Sequence, residues 1–153
     1  MFATSHNRVR QNTSASVNQS IEDQIQQSVA RCAAEGRHAI DQRLAELEQE
    51  WDVERILQTN FATVVLAGTA LSLGIDRRWT LLPAVAAGFM LQHVLQGWCP
   101  PLSVLRRMGV RTTSEIDREK YALKALRGDF ESLNKRASSS DKQAARALRA
   151  VGE

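Results

Sequence analysis

Residues 56–75 read ILQTNFATVVLAGTALSLGI and residues 79–98 read WTLLPAVAAGFMLQHVLQGW, with Asp76-Arg77-Arg78 between them. Each apolar segment is twenty residues long. A helix of that length measures roughly 30 Å at about 1.5 Å per residue, the thickness of a hydrocarbon core. Helices satisfy their backbone hydrogen bonds internally, as lipid demands. Both segments are apolar on every face, and the rest of the chain offers only narrow apolar stripes to cover them. The alternative, a buried helix pair in a soluble bundle, needs wider ones. The expected fold is therefore all-α: an integral membrane two-helix hairpin over 56–98, flanked by amphipathic cytoplasmic helices.

Charge is distributed to match. Of the 153 residues, 24% are charged and the net charge is +3, which on average describes an ordinary soluble domain. Residues 1–55 hold six Arg against nine Asp/Glu, net −3, and residues 106–153 hold twelve Lys/Arg against seven Asp/Glu, net +5. Between them, residues 56–105 carry only Asp76, Arg77 and Arg78. Near the spans, Arg43, Arg55, Arg106, Arg107 and Arg111 outnumber the two arginines of the turn, which places both termini in the cytoplasm. The basic arm interleaves its positive residues with acids, the pattern of a solvated face, and aromatic residues are 5% of the chain, so no nucleic acid is expected as a partner.

Outward from the hairpin, residues 1–16 are polar, without an acid or an apolar signal core, and are expected as a disordered tail. Residues 17–55 are expected as one amphipathic helix. Its stripe runs Val17, Ile21, Ile25, Val29, Cys32, Gly36, Ile40, Leu44, Leu47 and Trp51, and several pairs sit eleven apart. Three Arg against seven acids over 17–51 disfavour an anionic surface and favour a partner helix, from a second copy or from the C-terminal arm. Residues 99–111 form an interfacial segment in which Pro100 and Pro101 end or redirect the preceding helix and Gly109 closes a short turn. Residues 115–137 are expected as a second amphipathic helix capped by Ser114, with a seam at Ile116, Leu123, Phe130 and Ala137 filled in by Leu126 and Leu133. A basic tail helix is expected over 141–153, opened by Ser140 and Gln143.

Polar residues inside the spans are functional candidates by default. Gln58, Asn60 and Thr63 lie near the start of the first span, and Gln92, His93 and Gln96 near the end of the second. Folding about residue 77 sets position 62 level with 93 and gathers these groups in the leaflet nearer the termini. The bland alternative is interhelical hydrogen bonding near a wet interface. Gly68 and Ser72, Ala70 and Gly74, and Ala84 and Gly88 repeat at four-residue spacing, which allows close helix approach. Cys32 and Cys99 are the only cysteines, and neither Cys32/His38 nor His93/Cys99 makes a zinc spacing. No metal or cofactor is expected. Phosphate-binding loops, nucleophile elbows and paired catalytic carboxylates are absent from the sequence.

Val53-Glu54-Arg55-Ile56-Leu57, then Gly68-x-Ala70-Leu71-x-Leu73-Gly74, Trp79, the run Gly97-Trp98-Cys99-Pro100-Pro101-Leu102 and Met108-Gly109 resemble the YgaP-like transmembrane domain family. The resemblance covers about residues 50–110, and Gly97 to Pro101 is its most specific part. It implies a small bacterial inner-membrane hairpin that self-associates. In the family's namesake the hairpin anchors a rhodanese sulfurtransferase domain. Neither arm here has a strand pattern or catalytic cysteine loop for such a domain, so that activity does not carry over. Residues 115–130 look like extensions of longer members, with no role attached to them.

These readings converge on a multi-pass, homodimeric protein of the bacterial inner membrane. It is expected to be an anchor or scaffold rather than an enzyme, with the lipid bilayer as one partner. A partner protein is expected to meet it through helices 17–51 and 115–137. The rival is a thiol-dependent sulfur-relay or redox role centred on Cys99, with His93 nearby. A third reading, solute transport through an oligomer lined by Asn60, Gln92 and His93, requires at least a tetramer.

Overall fold

A computed structural model describes residues 8–130. Its regular elements are helices, with no strand among the described residues. In chain order they are α1 (Arg8–Gln11), α2 (Ala15–Glu35), α3 (Arg37–Gln49), α4 (Val53–Gly74), a 3₁₀ turn (Arg77–Thr80), α5 (Leu81–Gln96), α6 (Pro100–Arg107) and α7 (Thr113–Arg127). The chain divides into two compact units, one built from residues 1–22 and 51–114, the other from 23–50 and 115–153.

In the first unit α4 begins at a built cap. Asp52 accepts from the Arg55 N–H at 2.7 Å through Oδ1 and from the Thr113 hydroxyl at 2.6 Å through Oδ2. α5 runs back along α4. The Ser72 and Thr80 hydroxyls pair at 2.6 Å near the turn, and Glu54 meets His93 at the far end. Gly68 makes the closest approach. A Cβ there would sit 2.6 Å from Pro83 Cδ. One stretch among the described residues, Arg37–Gly74, which takes in α3, the non-helical residues 50–52 and α4, is long and apolar enough to cross a membrane, and 11% of its apolar window is buried. α5 is 16 residues, about 24 Å of helix, because the expected first turn of the second segment is wound as 3₁₀.

The lower end of this unit holds its core: Val9, Val53, Leu57, Cys99 and Leu102, with Phe61, Leu105 and Val110 against it. The supposedly disordered tail takes part. Arg8–Gln11 is helical with Val9 buried, and residues 1–7 lie outside the described residues. Arg8 donates to the Val94 carbonyl at 2.6 Å and the Asn12 amide to the Gln96 carbonyl at 3.1 Å. These are the carbonyls that the end of α5 leaves without helical partners. Pro100 and Pro101 open α6 rather than only ending α5. An N–H is not needed at the first helical positions, where the ring's fixed φ suits the helix. Gly109, at φ +85°, closes α6 as expected.

The second unit buries the predicted stripe on itself. Cys32, Ile40, Leu44 and Leu47 pack with Ile116 and Leu123 of α7, and Val29 lies against them. The expected single helix over 17–55 is two helices. Gly36 at φ +92° breaks the run, and residues 50–52 are non-helical before α4. Trp51, expected on the stripe, belongs to the first unit and is 46% exposed under the Arg55 guanidinium, 4.3 Å from its ring centroid. α7 is shorter than expected. Gly128 at φ +93° ends it at Arg127, so Phe130 falls in a turn and Leu126 is exposed. Residues 131–137 of the expected helix and the 141–153 tail helix lie outside the described residues. A carboxylate sits inside this unit. Glu119 is fully buried and accepts from the Ser28 hydroxyl at 2.6 Å and from Arg43 Nε at 2.9 Å. Burial opposes the Arg43 charge, but hydrogen bonds to Glu119 and Glu46 outweigh it and raise the guanidinium above its ordinary value.

Candidate functional site

The polar group best placed for chemistry is His93. It sits near the end of α5 and is 5% exposed. Its Nε2 lies 3.2 Å from Glu54 Oε2, across to the first turn of α4. Its Nδ1 is buried without a hydrogen-bond partner. This arrangement selects a tautomer. A proton on Nε2 is donated to the carboxylate, and Nδ1 is left as a bare acceptor, whereas a proton on Nδ1 would be a buried, unsatisfied donor. The pair borders a cavity of about 180 Å³ that Arg8, Gln58, Met90 and Gly97 also line. Glu54 and Gln58 are one helical turn apart, so α4 presents both to the same opening.

The sequence-predicted polar cluster is only partly assembled. Gln58 and His93 share this cavity. Asn60 lies instead in an apolar groove of about 230 Å³ with Phe61, Val64, Leu82, Val85 and Phe89. Gln92 and Gln96 line neither, and Gln96 contributes its carbonyl to Asn12. The pairing differs from the expected level because α4 stops at Gly74, ahead of the supposed fold-back point. The 3₁₀ turn then climbs about 2.0 Å per residue, faster than α-helix, and sets His93 against a lower-numbered residue. Glu54 was missed for that reason. The available signal was the last carboxylate before the first apolar segment, one turn before Gln58.

The small-residue candidates divide similarly. Gly68 makes the α4–α5 contact and Ser72 bonds the 3₁₀ turn at Thr80, whereas Gly74 and Gly88 have nothing near a prospective Cβ and Ala84 is exposed. The five residues Gly97 to Pro101 form one structural device. Gly97, at φ +72°, caps α5 through a 2.7 Å bond from its N–H to the His93 carbonyl. The space of its missing side chain is filled by Arg8. Trp98 is partly exposed, and Cys99 is fully buried at the N-cap of α6 ahead of the two prolines.

Burial pushes the Cys99 thiol up, a hydrogen bond from the Leu102 backbone opposes that rise, and the Glu54 charge adds to it. His93 is engaged with Glu54, so its Nε2 does not serve Cys99. A protonated, enclosed thiol is a poor nucleophile. Among the described residues no group of three or more His, Cys, Asp or Glu side chains is placed to hold a metal ion. What the Glu54–His93 pair does is tie the end of α5 to the first turn of α4. Compared with known proteins, the chain matches no family model, no curated protein and no solved structure.

Proposed function

We propose that this chain is a two-span inner-membrane anchor whose remaining helices form a cytoplasmic interaction module. The observation that supports it is the outer surface of the first unit. The apolar window of α4 is almost wholly uncovered, and Leu81, Val85, Leu91 and Leu95 of α5 are exposed alongside it. The only charges from Ile56 to Leu105 lie in the turn at 76–78. Water would be a poor solvent for that surface, and hydrocarbon a good one. α4 and α5 then form the membrane hairpin, with Trp51 and Arg107 at the headgroups and both termini in the cytoplasm.

Self-association belongs to the same reading. The α4–α5 groove is apolar except for Asn60, whose amide both donates and accepts. Two copies related by a twofold axis pair those amides reciprocally. The helices of the second unit already cover each other's apolar stripes, so a protein partner would meet their charged outer faces.

The test is membrane extraction and sided labelling. Under alkaline carbonate the full chain stays with the membrane pellet. In a Cys32→Ala, Cys99→Ala background, a cysteine introduced at Arg78 reacts with a membrane-impermeant maleimide from the outer side. One introduced at Ser14 reacts only after membrane inversion. Release by carbonate, or labelling of both positions from one side, overturns the proposal.

A further inference from the structure

The first unit holds a second polar pocket, remote in chemistry from the Glu54–His93 pair. It measures about 80 Å³ and is lined by Asn12, Thr13, Ser14, Ser103, Arg106 and Arg107. That is the scale of a single small group, far below the roughly 300–1,000 Å³ of sites for drug-sized ligands. Two arginines and three hydroxyls face it, and none of the lining residues is a carboxylate. Arg106 is fixed in place. It is 1% exposed, and it donates to Thr13 Oγ1 at 3.2 Å, to Asn18 Oδ1 at 2.9 Å and to the Val110 carbonyl at 3.0 Å. Arg107 beside it is exposed and has no ion pair among the described residues. The start of α2 at Ala15 adds partial positive charge. Sequence places the pocket as well. α6 follows the second apolar segment directly, which on the membrane reading is the level of the headgroups.

We propose that this pocket binds one phosphate group, with Arg107 as the direct, bidentate-capable ligand and Ser14 and Ser103 as hydroxyl donors. An anionic phospholipid headgroup and free phosphate share that chemistry. Only the lipid source rests on the membrane reading.

The experiment uses the full chain purified in mild detergent, stripped of lipid, and offered equal phosphatidylglycerol and phosphatidylcholine. Native mass spectrometry reads the lipid retained, and ³¹P line broadening reads inorganic phosphate. Phosphatidylglycerol is retained over phosphatidylcholine. Arg107→Gln lowers that retention about tenfold, the loss of one charge-assisted contact. Arg55→Gln, an equal charge change at the start of α4, leaves it within about twofold. Ser103→Ala gives a smaller loss with the helical circular dichroism unchanged. If only inorganic phosphate binds, and Arg107→Gln abolishes it, the pocket stands with free phosphate as its source. Equal retention of the two lipids with no phosphate binding overturns the proposal. So does an equal loss in Arg107→Gln and Arg55→Gln, since that reports general attraction to charge. The phosphate arm is read in detergent, so its failure is distinct from failure of membrane insertion.

Discussion

Gly68→Ala tests the contact that holds α4 against α5. The added methyl would lie 2.6 Å from Pro83 Cδ and 3.3 Å from Leu82 Cβ. Carbon atoms rest about 3.5–4.0 Å apart, so the helices must separate locally by roughly 1 Å. Pro83 cannot turn aside, because its ring is closed on the backbone. Overpacking of this kind costs about 1–3 kcal/mol, and replacing glycine by alanine inside a helix returns about 1 kcal/mol. The net loss is about 0–2 kcal/mol. Gly88→Ala is the internal control. It lies in α5 with nothing within 4 Å of the new methyl, so only the propensity gain of about 1 kcal/mol applies. The propensity gain is common to both variants and cancels, so they should differ by about 1–3 kcal/mol in reversible unfolding in mixed micelles followed by tryptophan fluorescence. A Ser72→Cys, Thr80→Cys pair, built where the two hydroxyls meet at 2.6 Å, supplies a second readout through its disulfide yield. Equal stability of the two alanine variants, or a more stable Gly68→Ala, would refute the claim that α4 and α5 meet at this glycine.

Three further outcomes follow from the same geometry. Gly97→Ala forces a side chain into the left-handed region and against Arg8, and is expected to free the N-terminal segment, read as faster proteolysis near Arg8 and Arg10 with α4 and α5 intact. Cys99 in native membranes is expected to react with a small permeant alkylating agent at least tenfold more slowly than in denatured chain, because burial both shields the thiol and keeps it protonated; rapid alkylation would revive the thiol-relay reading. Asp129 is held below the ordinary carboxylate range by its hydrogen bond to Arg127, so its stabilisation is present above pH ~4 and lost as pH falls through the depressed value. Asp129→Asn should remove that acid limb from thermal unfolding of the second unit and lower stability at neutral pH.

Much of this architecture was legible because it rests on local rules. Ile25 and Cys32 on α2, and Ile40, Leu44 and Leu47 on α3, are buried where spacings of three, four and seven residues put them, since helix geometry converts spacing within one helix directly into a common face. Gly109 closes α6 for an equally local reason, the left-handed conformation that only glycine adopts freely. Gly36 and Gly128 obey the same rule, but each sits inside a longer periodic pattern that continues beyond it. The polar site was less legible. Gln58 and His93 were singled out, but Glu54 and Arg8 complete their cavity, from positions 39 and 85 residues away from His93.

The sequence by itself determined that the chain is helical, that its centre is apolar on all faces, and that its charges are confined to the arms and one turn. Those are properties of composition and period, which need no long-range contact. The tertiary structure decided which polar groups meet. It brought Glu54 to His93, tucked Arg8 into the space that Gly97 leaves, and used Gly68 rather than Gly74 or Gly88 for close approach. It also enclosed Cys99, the residue that sequence alone left open between structural and reactive roles. Each of these depends on where α4 ends and how the 3₁₀ turn sets the rise of α5. A shift of one residue in that turn rotates every side chain on α5 by about 100°, and no local pattern encodes that angle.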